Sequence, residues 1–353
     1  MNRFVVGTGR CGSTLLSRML AESPQVLSLF EFFNGLDMTL RFREEPVSGA
    51  ELADLLAKEH PFVSMVLRRG YEVPEIVYPF GAAGTRYARE DPLPYLLVAA
   101  LPRLSDEPDA LFDELLAFAA ARPRRPLRVH YPEIFAWLCR RLGREVWIER
   151  SGSSIDYLGS LDAFFPEARF LHLHRDGREA ALSMREHHAF RLAICMTYQV
   201  LDSRTRSLGE LGELDPGADA GGEDRVGRML ASRPDAEYFG RFWSQQVARG
   251  AAAIERLDPS RYLAVRFEDL LAKPADVLQT IAAFFALDPA RDGWIARAAA
   301  LVRGAPPARF PSLLLDEQQR LAAACREGTQ LLVRPVGGDV PAKLSKGSVL
   351  TQD

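Results

Sequence analysis

The chain has 353 residues, of which 47% are apolar and 26% charged, with a formal net charge of -3. That length and usage suit a globular fold with a substantial core. The near-balanced charge excludes a global basic field for nucleic acid, while leaving room for a local basic pocket.

The first residues, Met1-Asn2-Arg3, run directly into Phe4-Val5-Val6 without an apolar signal segment. No apolar run reaches the roughly 18 residues that a membrane span needs. The expectation is a cytoplasmic protein. Cys11, Cys139, Cys195 and Cys325 lie far apart and form no CxxC pair, so neither a disulfide framework nor a metal site is expected.

Four short apolar segments read as buried strands: Arg3 to Gly7, Glu145 to Ile148, Arg169 to His174 and Tyr262 to Phe267. Each is followed by a turn and a helical pattern, which predicts parallel pairing with helical crossovers. A mainly helical insertion, about 40–142, separates the first two, with helices predicted over 51–59, 92–101, 109–121 and 131–142. Residues 203–234, rich in Gly, Asp, Glu and Arg, read as a mobile loop or a short-helix insertion, either a lid or a solvated surface segment. A long helix over 237–257 follows, with further helices near 275–285, 292–302 and 316–326. The fold class is therefore α/β, a P-loop-type parallel sheet flanked by helices. A single domain over 1–335 and a poorly ordered tail over 336–353 are expected.

The strongest local signal is Val5-Val6-Gly7-Thr8-Gly9-Arg10-Cys11-Gly12-Ser13-Thr14. It follows a strand and opens a helix, the context that a phosphate-binding loop requires. Glycines let backbone N–H groups turn inward, and the helix N-terminus adds positive potential. Ser13 stands where an ATP-binding loop carries lysine, and the cation sits inside the loop as Arg10. That substitution speaks against a kinase.

With this loop the sequence resembles the sulfotransferases that use PAPS (3′-phosphoadenosine 5′-phosphosulfate), above all their bacterial and tyrosylprotein-type branches. Gly9-Arg10-Cys11-Gly12-Ser13-Thr14 is similar to the family's first motif. Trp147-Ile148-Glu149-Arg150-Ser151-Gly152 is similar to a strand-end motif. Phe165 to Glu179, including His174-Arg175-Asp176-Gly177-Arg178, resembles a third motif, with Ser183 eight residues after Arg175. Tyr262 to Leu270, with Pro274 downstream, resembles the fourth. Three positions depart from the pattern: Cys11 replaces a hydroxyl residue, Gly152 and Gly177 stand where proline is common, and Phe267 stands where tyrosine is frequent.

The resemblance implies PAPS as co-substrate and no metal, with Gly9, Arg10, Cys11, Gly12, Ser13 and Thr14 around the 5′-phosphosulfate. It implies Arg175 and Ser183 at the 3′-phosphate, where a guanidinium fork and a hydroxyl suit a near-dianion. An Arg175 paired on the surface with Glu179 or Asp176 is the bland alternative. Arg10 and Arg150 would stabilise charge developing during transfer; for Arg150 the alternative is an ion pair with Glu149. Glu31, in Leu29-Phe30-Glu31-Phe32-Phe33, is the candidate general base, its pKa raised by apolar neighbours. His187 and His188 compete for that role, and adjacent helical residues cannot both face one site. His172 and His174 read as buried structural groups. The acceptor is a small molecule, glycan or lipid, with a pocket wall expected from residues near 62–67, 78–80 and 189–198. A small-molecule kinase and a non-catalytic nucleotide-binding module are the competing readings.

Overall fold

Phe4, Val5 and Val6 are all buried, and a strand without a polar face belongs inside a parallel sheet. β1 (Arg3–Val6) lies at the centre of five strands. It is flanked by β3 (Val146–Arg150) and β4 (Arg169–His174), with β2 (Val26–Phe30) and β5 (Tyr262–Arg266) at the edges. Every pairing is parallel. The computed structural model describes residues 1–201 and 224–333.

β2 is one strand more than the four read from the sequence. Its run Val26-Leu27-Ser28-Leu29-Phe30 is wholly buried, and Ser28 is tolerated because its hydroxyl donates to the Ser17 carbonyl at 2.9 Å.

α1 (Ser13–Ala21) connects β1 to β2. Between β2 and β3 lie α2 (Gly49–Ala57), α3 (Pro61–Leu67), α4 (Pro108–Ala120) and α5 (Leu127–Arg141). The helix expected over 92–101 is instead a π-helical turn, Leu96–Ala100, followed by a 3-10 turn, Leu101–Arg103. Pro92, Pro94 and Pro102 lack the N–H groups that a regular helix would need there. α6 (Leu158–Phe164) precedes β4, and α7 (Gly177–Arg185) and α8 (His188–Tyr198) follow it. Next come α9 (Arg225–Ala231) and α10 (Ala236–Ile254). After β5 the chain forms α11 (Phe267–Ala272), α12 (Pro274–Phe285), α13 (Trp294–Ala299) and α14 (Leu315–Leu332). α9 falls within the stretch 203–234. The part of that stretch up to residue 223, and the tail 336–353, lie outside the described residues.

Strand alternation divides the core. Phe4, Val6, Leu27 and Leu29 face the helical insertion, while Val5, Val26, Ile148 and Leu171 face α1, α12 and α13. The Phe4 ring lies 5.0 Å from Phe165 and 5.6 Å from both Trp147 and Phe170, so aromatic packing fixes the central strand. Among the described residues, no helix is long and apolar enough to cross a membrane.

The register opposes both Val5 and Phe30 to Arg150, and Val6 to His172. Consequently Gly7, Glu31, Ser151 and Arg175, each just past a strand's carboxyl end, line one rim of the sheet. Strand order reverses on either side of β1, and in open α/β sheets ligands bind at that position.

Candidate active site

The turn after β1 is shaped by close backbone approach. A Cβ on Gly7 would lie 2.5 Å from the Leu173 carbonyl oxygen, so the chain leaves the sheet there only as glycine. Arg10 and Gly12 then take φ of 61° and 95°, folding the loop back so that α1 begins at Ser13. Its first turn lines a cavity of about 330 Å³, and the free N–H groups of a helix start favour anions.

That cavity brings together every site residue singled out from the sequence except Cys11. Gly9, Arg10, Gly12, Ser13 and Thr14 come from the loop. Glu31, Arg150, Arg175 and Ser183 come from beyond β2, β3 and β4. The Cys11 side chain turns into the core with Val5 and Leu16 and is 1% exposed. Burial pushes its thiol pKa up. Only the backbone of Cys11 is left for a ligand.

Arg10 ties the loop to α7, its Nε donating to Ser183 Oγ at 3.2 Å. Its Nη1 lies 3.5 Å from Glu75 Oε1. Arg175 makes no hydrogen bond or ion pair among the described residues, because both carboxylates that might take it are engaged. Asp176 pairs with Arg178 at 2.6 Å, and Glu179 accepts from the Arg309 and Phe310 amides at 2.9 Å. The Arg175 guanidinium lies 5.2 Å from the Phe267 ring centroid. A Cβ on Gly12 would sit 2.2 Å from that same ring. One phenyl ring therefore bridges Arg175 and the phosphate loop, well within a nucleotide's length.

Glu31 is 3% exposed, with φ of 56°. A second left-handed residue in one site marks backbone held against its preference. Its carboxylate forms an ion pair with Arg150 Nη1. It also accepts from Asn34 Nδ2 at 2.6 Å and from the Gly152 amide at 3.0 Å. Burial raises its pKa, opposed first by the Arg150 charge. Arg150 reaches on to Thr14 Oγ1 at 3.0 Å, so it pairs with Glu31 and not with Glu149. Glu149 is fully buried and accepts instead from the Ser151 hydroxyl at 2.5 Å, and burial pushes its carboxyl up to about 8.

Three residues of the site escaped the sequence reading. Glu75 reaches in from the stretch between α3 and the π-helical turn, its Oε2 2.9 Å from His187 Nε2. Burial would raise its pKa, but His187, then Arg10 and Arg150, outweigh that and hold it at about 2. Nothing in its Pro-rich surroundings signalled it. Asn34, which braces Glu31, had only its spacing of three residues as a clue. Arg41 lies in the cavity wall beside Asn34.

Of the adjacent histidines, only His187 lines the cavity; His188 Nδ1 lies 3.2 Å from the Glu72 carbonyl oxygen. His172 is 2% exposed, 2.8 Å from the Tyr262 hydroxyl, and is pushed down to about 3 by burial. Phe62, Val63, Ala189 and Phe190 form an apolar wall. Tyr78 does not join it, being buried with its hydroxyl donated to Asp109 at 2.6 Å.

A model of the Sulfotransferase family matches residues 88–209. The chain resembles that family over a stretch holding Arg150, Arg175 and Ser183, reaching into the helical insertion and stopping short of the phosphate loop. No curated protein matches the chain. Among solved structures, the sulfotransferase domain from the Curacin biosynthetic pathway is 16% identical with a TM-score of 0.43, covering 91% of this chain and 96% of that one. The sulfotransferase domain of the Synechococcus PCC 7002 olefin synthase is 19% identical with a TM-score of 0.41, covering 91% and 93%. A sulfotransferase from Mycobacterium avium is 17% identical with a TM-score of 0.45, covering 96% and 78%.

Proposed function

We propose that the chain is a sulfotransferase that moves a sulfuryl group from PAPS to a hydroxyl or amine of a small molecule, glycan or lipid. The observation that carries this reading is Arg175. It is a cation without a protein counter-ion, one phenyl ring away from a phosphate loop that lacks the kinase lysine. A 3′-phosphate supplies the missing anion, and ADP and ATP have none.

The residues then divide the work. Gly9, Gly12, Ser13, Thr14 and the backbone of Cys11 hold the 5′ side, and Arg175 and Ser183 hold the 3′-phosphate. In the transfer, the acceptor oxygen or nitrogen attacks sulfur as the S–O bond to the 5′-phosphate breaks, and PAP (3′-phosphoadenosine 5′-phosphate) leaves. Arg10 faces the phosphate on which charge accumulates, where a fixed cation is worth more as the bond breaks. Arg150, held between Glu31 and Thr14, is aimed to steady the sulfuryl oxygens. Glu31 takes the acceptor's proton, and its burial raises its basicity. Arginines supply the neutralisation that magnesium supplies to kinases.

Thermal unfolding with PAP, ADP and ATP tests the donor. PAP should raise the Tm far more than the other two at equal concentration. Equal shifts from PAP and ADP would overturn the assignment, and a larger response to ATP would favour the kinase reading.

A further inference from the structure

We infer that the acceptor carries an anionic group, a carboxylate, phosphate or sulfate, and that Arg41 receives it. This rests on the sulfotransfer reading and narrows its acceptor class.

Arg41 is 7% exposed and belongs to the same cavity, on the Glu31 side, with Asn34, Met38 and His60. Its backbone is pinned there by the Tyr131 hydroxyl, which donates to the Arg41 carbonyl at 2.6 Å. The guanidinium packs 4.1 Å from the Tyr157 ring centroid. Of its donors, Nη1 reaches the Phe33 carbonyl at 2.9 Å, while Nε is buried without a partner.

No carboxylate pairs with it among the described residues, and those nearby are committed elsewhere. Glu31 is held by Arg150, Asp37 by Lys58 at 2.5 Å, and Glu149 accepts from Ser151. His60 offers no negative charge, and burial lowers its pKa. Buried charges are kept where something pairs with them. Of the four cavity arginines, Arg10 and Arg150 have carboxylate partners, whereas Arg175 and Arg41 do not. Arg175 is matched by the donor's 3′-phosphate, and the donor offers no anion on the Glu31 side for Arg41.

Placement makes Arg41 a partner for the acceptor. Asn34 donates to Glu31 through Nδ2, and its Oδ1 accepts from the Tyr157 hydroxyl at 3.0 Å, while Arg41 packs on Tyr157. The proton-accepting carboxylate and the uncompensated guanidinium are thus two residues apart along one wall. A single small molecule can present its nucleophile to the first and its anion to the second. The planar fork suits either a carboxylate or a tetrahedral oxyanion.

The test separates a metabolite extract on an anion-exchange resin and incubates the retained and unretained fractions with the full chain and PAPS. Products heavier by one SO3 should arise from the retained fraction, and products from the unretained fraction alone would overturn the inference. If neither fraction gives product, the sulfotransfer reading falls and takes this one with it. The PAP-against-ADP comparison detects that failure separately. With an acceptor so found, Arg41→Met should raise its KM by about 10- to 100-fold, with kcat and the PAP-induced Tm shift little changed. Arg41→Lys, which keeps charge without the fork, should fall between and covers the case in which the methionine variant does not fold. An unchanged KM in either folded variant would refute the role.

Discussion

Replacing Arg175 by alanine separates donor recognition from fold stability. The guanidinium has no carboxylate partner, so its removal strands no buried anion, and the loss within the protein is its stacking on Phe267, about 0.5–1 kcal/mol. A charge-assisted bond to a phosphate is worth about 1.5–3 kcal/mol, so the Kd for PAP should rise by about 10- to 150-fold. The Kd for ADP, which lacks the 3′-phosphate, should stay within about two-fold. Calorimetric titration of both nucleotides into wild type and Arg175→Ala gives these numbers, and urea unfolding gives the stability change. Equal loss of PAP and ADP affinity would refute the reasoning, because it would mean that Arg175 supports the loop and not the ribose end of the ligand. An unchanged PAP affinity would refute it as well.

Arg150→Met should cost about 3–5 kcal/mol in urea unfolding at pH 8, because it leaves the buried Glu31 carboxylate without its cation. That cost should shrink towards pH 5 as Glu31 protonates, and a pH-independent loss would count against the ion pair. Glu149 has its folded pKa raised to about 8. Its contribution is therefore fully present below the ordinary carboxyl range and lost as pH rises through about 8. Relative to Glu149→Gln, wild type should lose up to about 1.4 kcal/mol of stability per pH unit across that window. Parallel pH profiles would show that Glu149 does not titrate there. Glu75→Gln removes the carboxylate beside Arg10 and should tighten PAP binding by about five-fold. Weaker binding would mean that Glu75 orients Arg10 for the nucleotide and does not compete with it.

The strands carrying the site were readable where an apolar run ended in a distinctive motif, as at Val6, His174 and Arg266. β2 was not, since five residues with a serine in the middle have no decisive period, and their burial comes from the helical insertion that covers them. The loop residues were legible because glycine spacing and a following helix are local facts. The turning inward of Cys11 was not, because it depends on φ at Arg10 and Gly12. Arg175 could be named from its motif, but its lack of a partner follows only from where Glu179 and Asp176 spend their hydrogen bonds. Glu75 and Arg41 come from the insertion between β2 and β3, where no pattern distinguishes a residue that reaches the cavity from one that does not. The proline-flanked π-helical turn shows the same limit, for breakers predicted an interruption without its form.

The account stands or falls on a nucleotide gripped at two ends, and a crystal structure of the chain with PAP examines that directly. The 3′-phosphate should lie within hydrogen-bonding distance of Arg175 and Ser183, with the 5′-phosphate in the turn between Gly9 and Thr14. A 3′-phosphate left in solvent, or a nucleotide bound away from the cavity that holds Glu31, would contradict it.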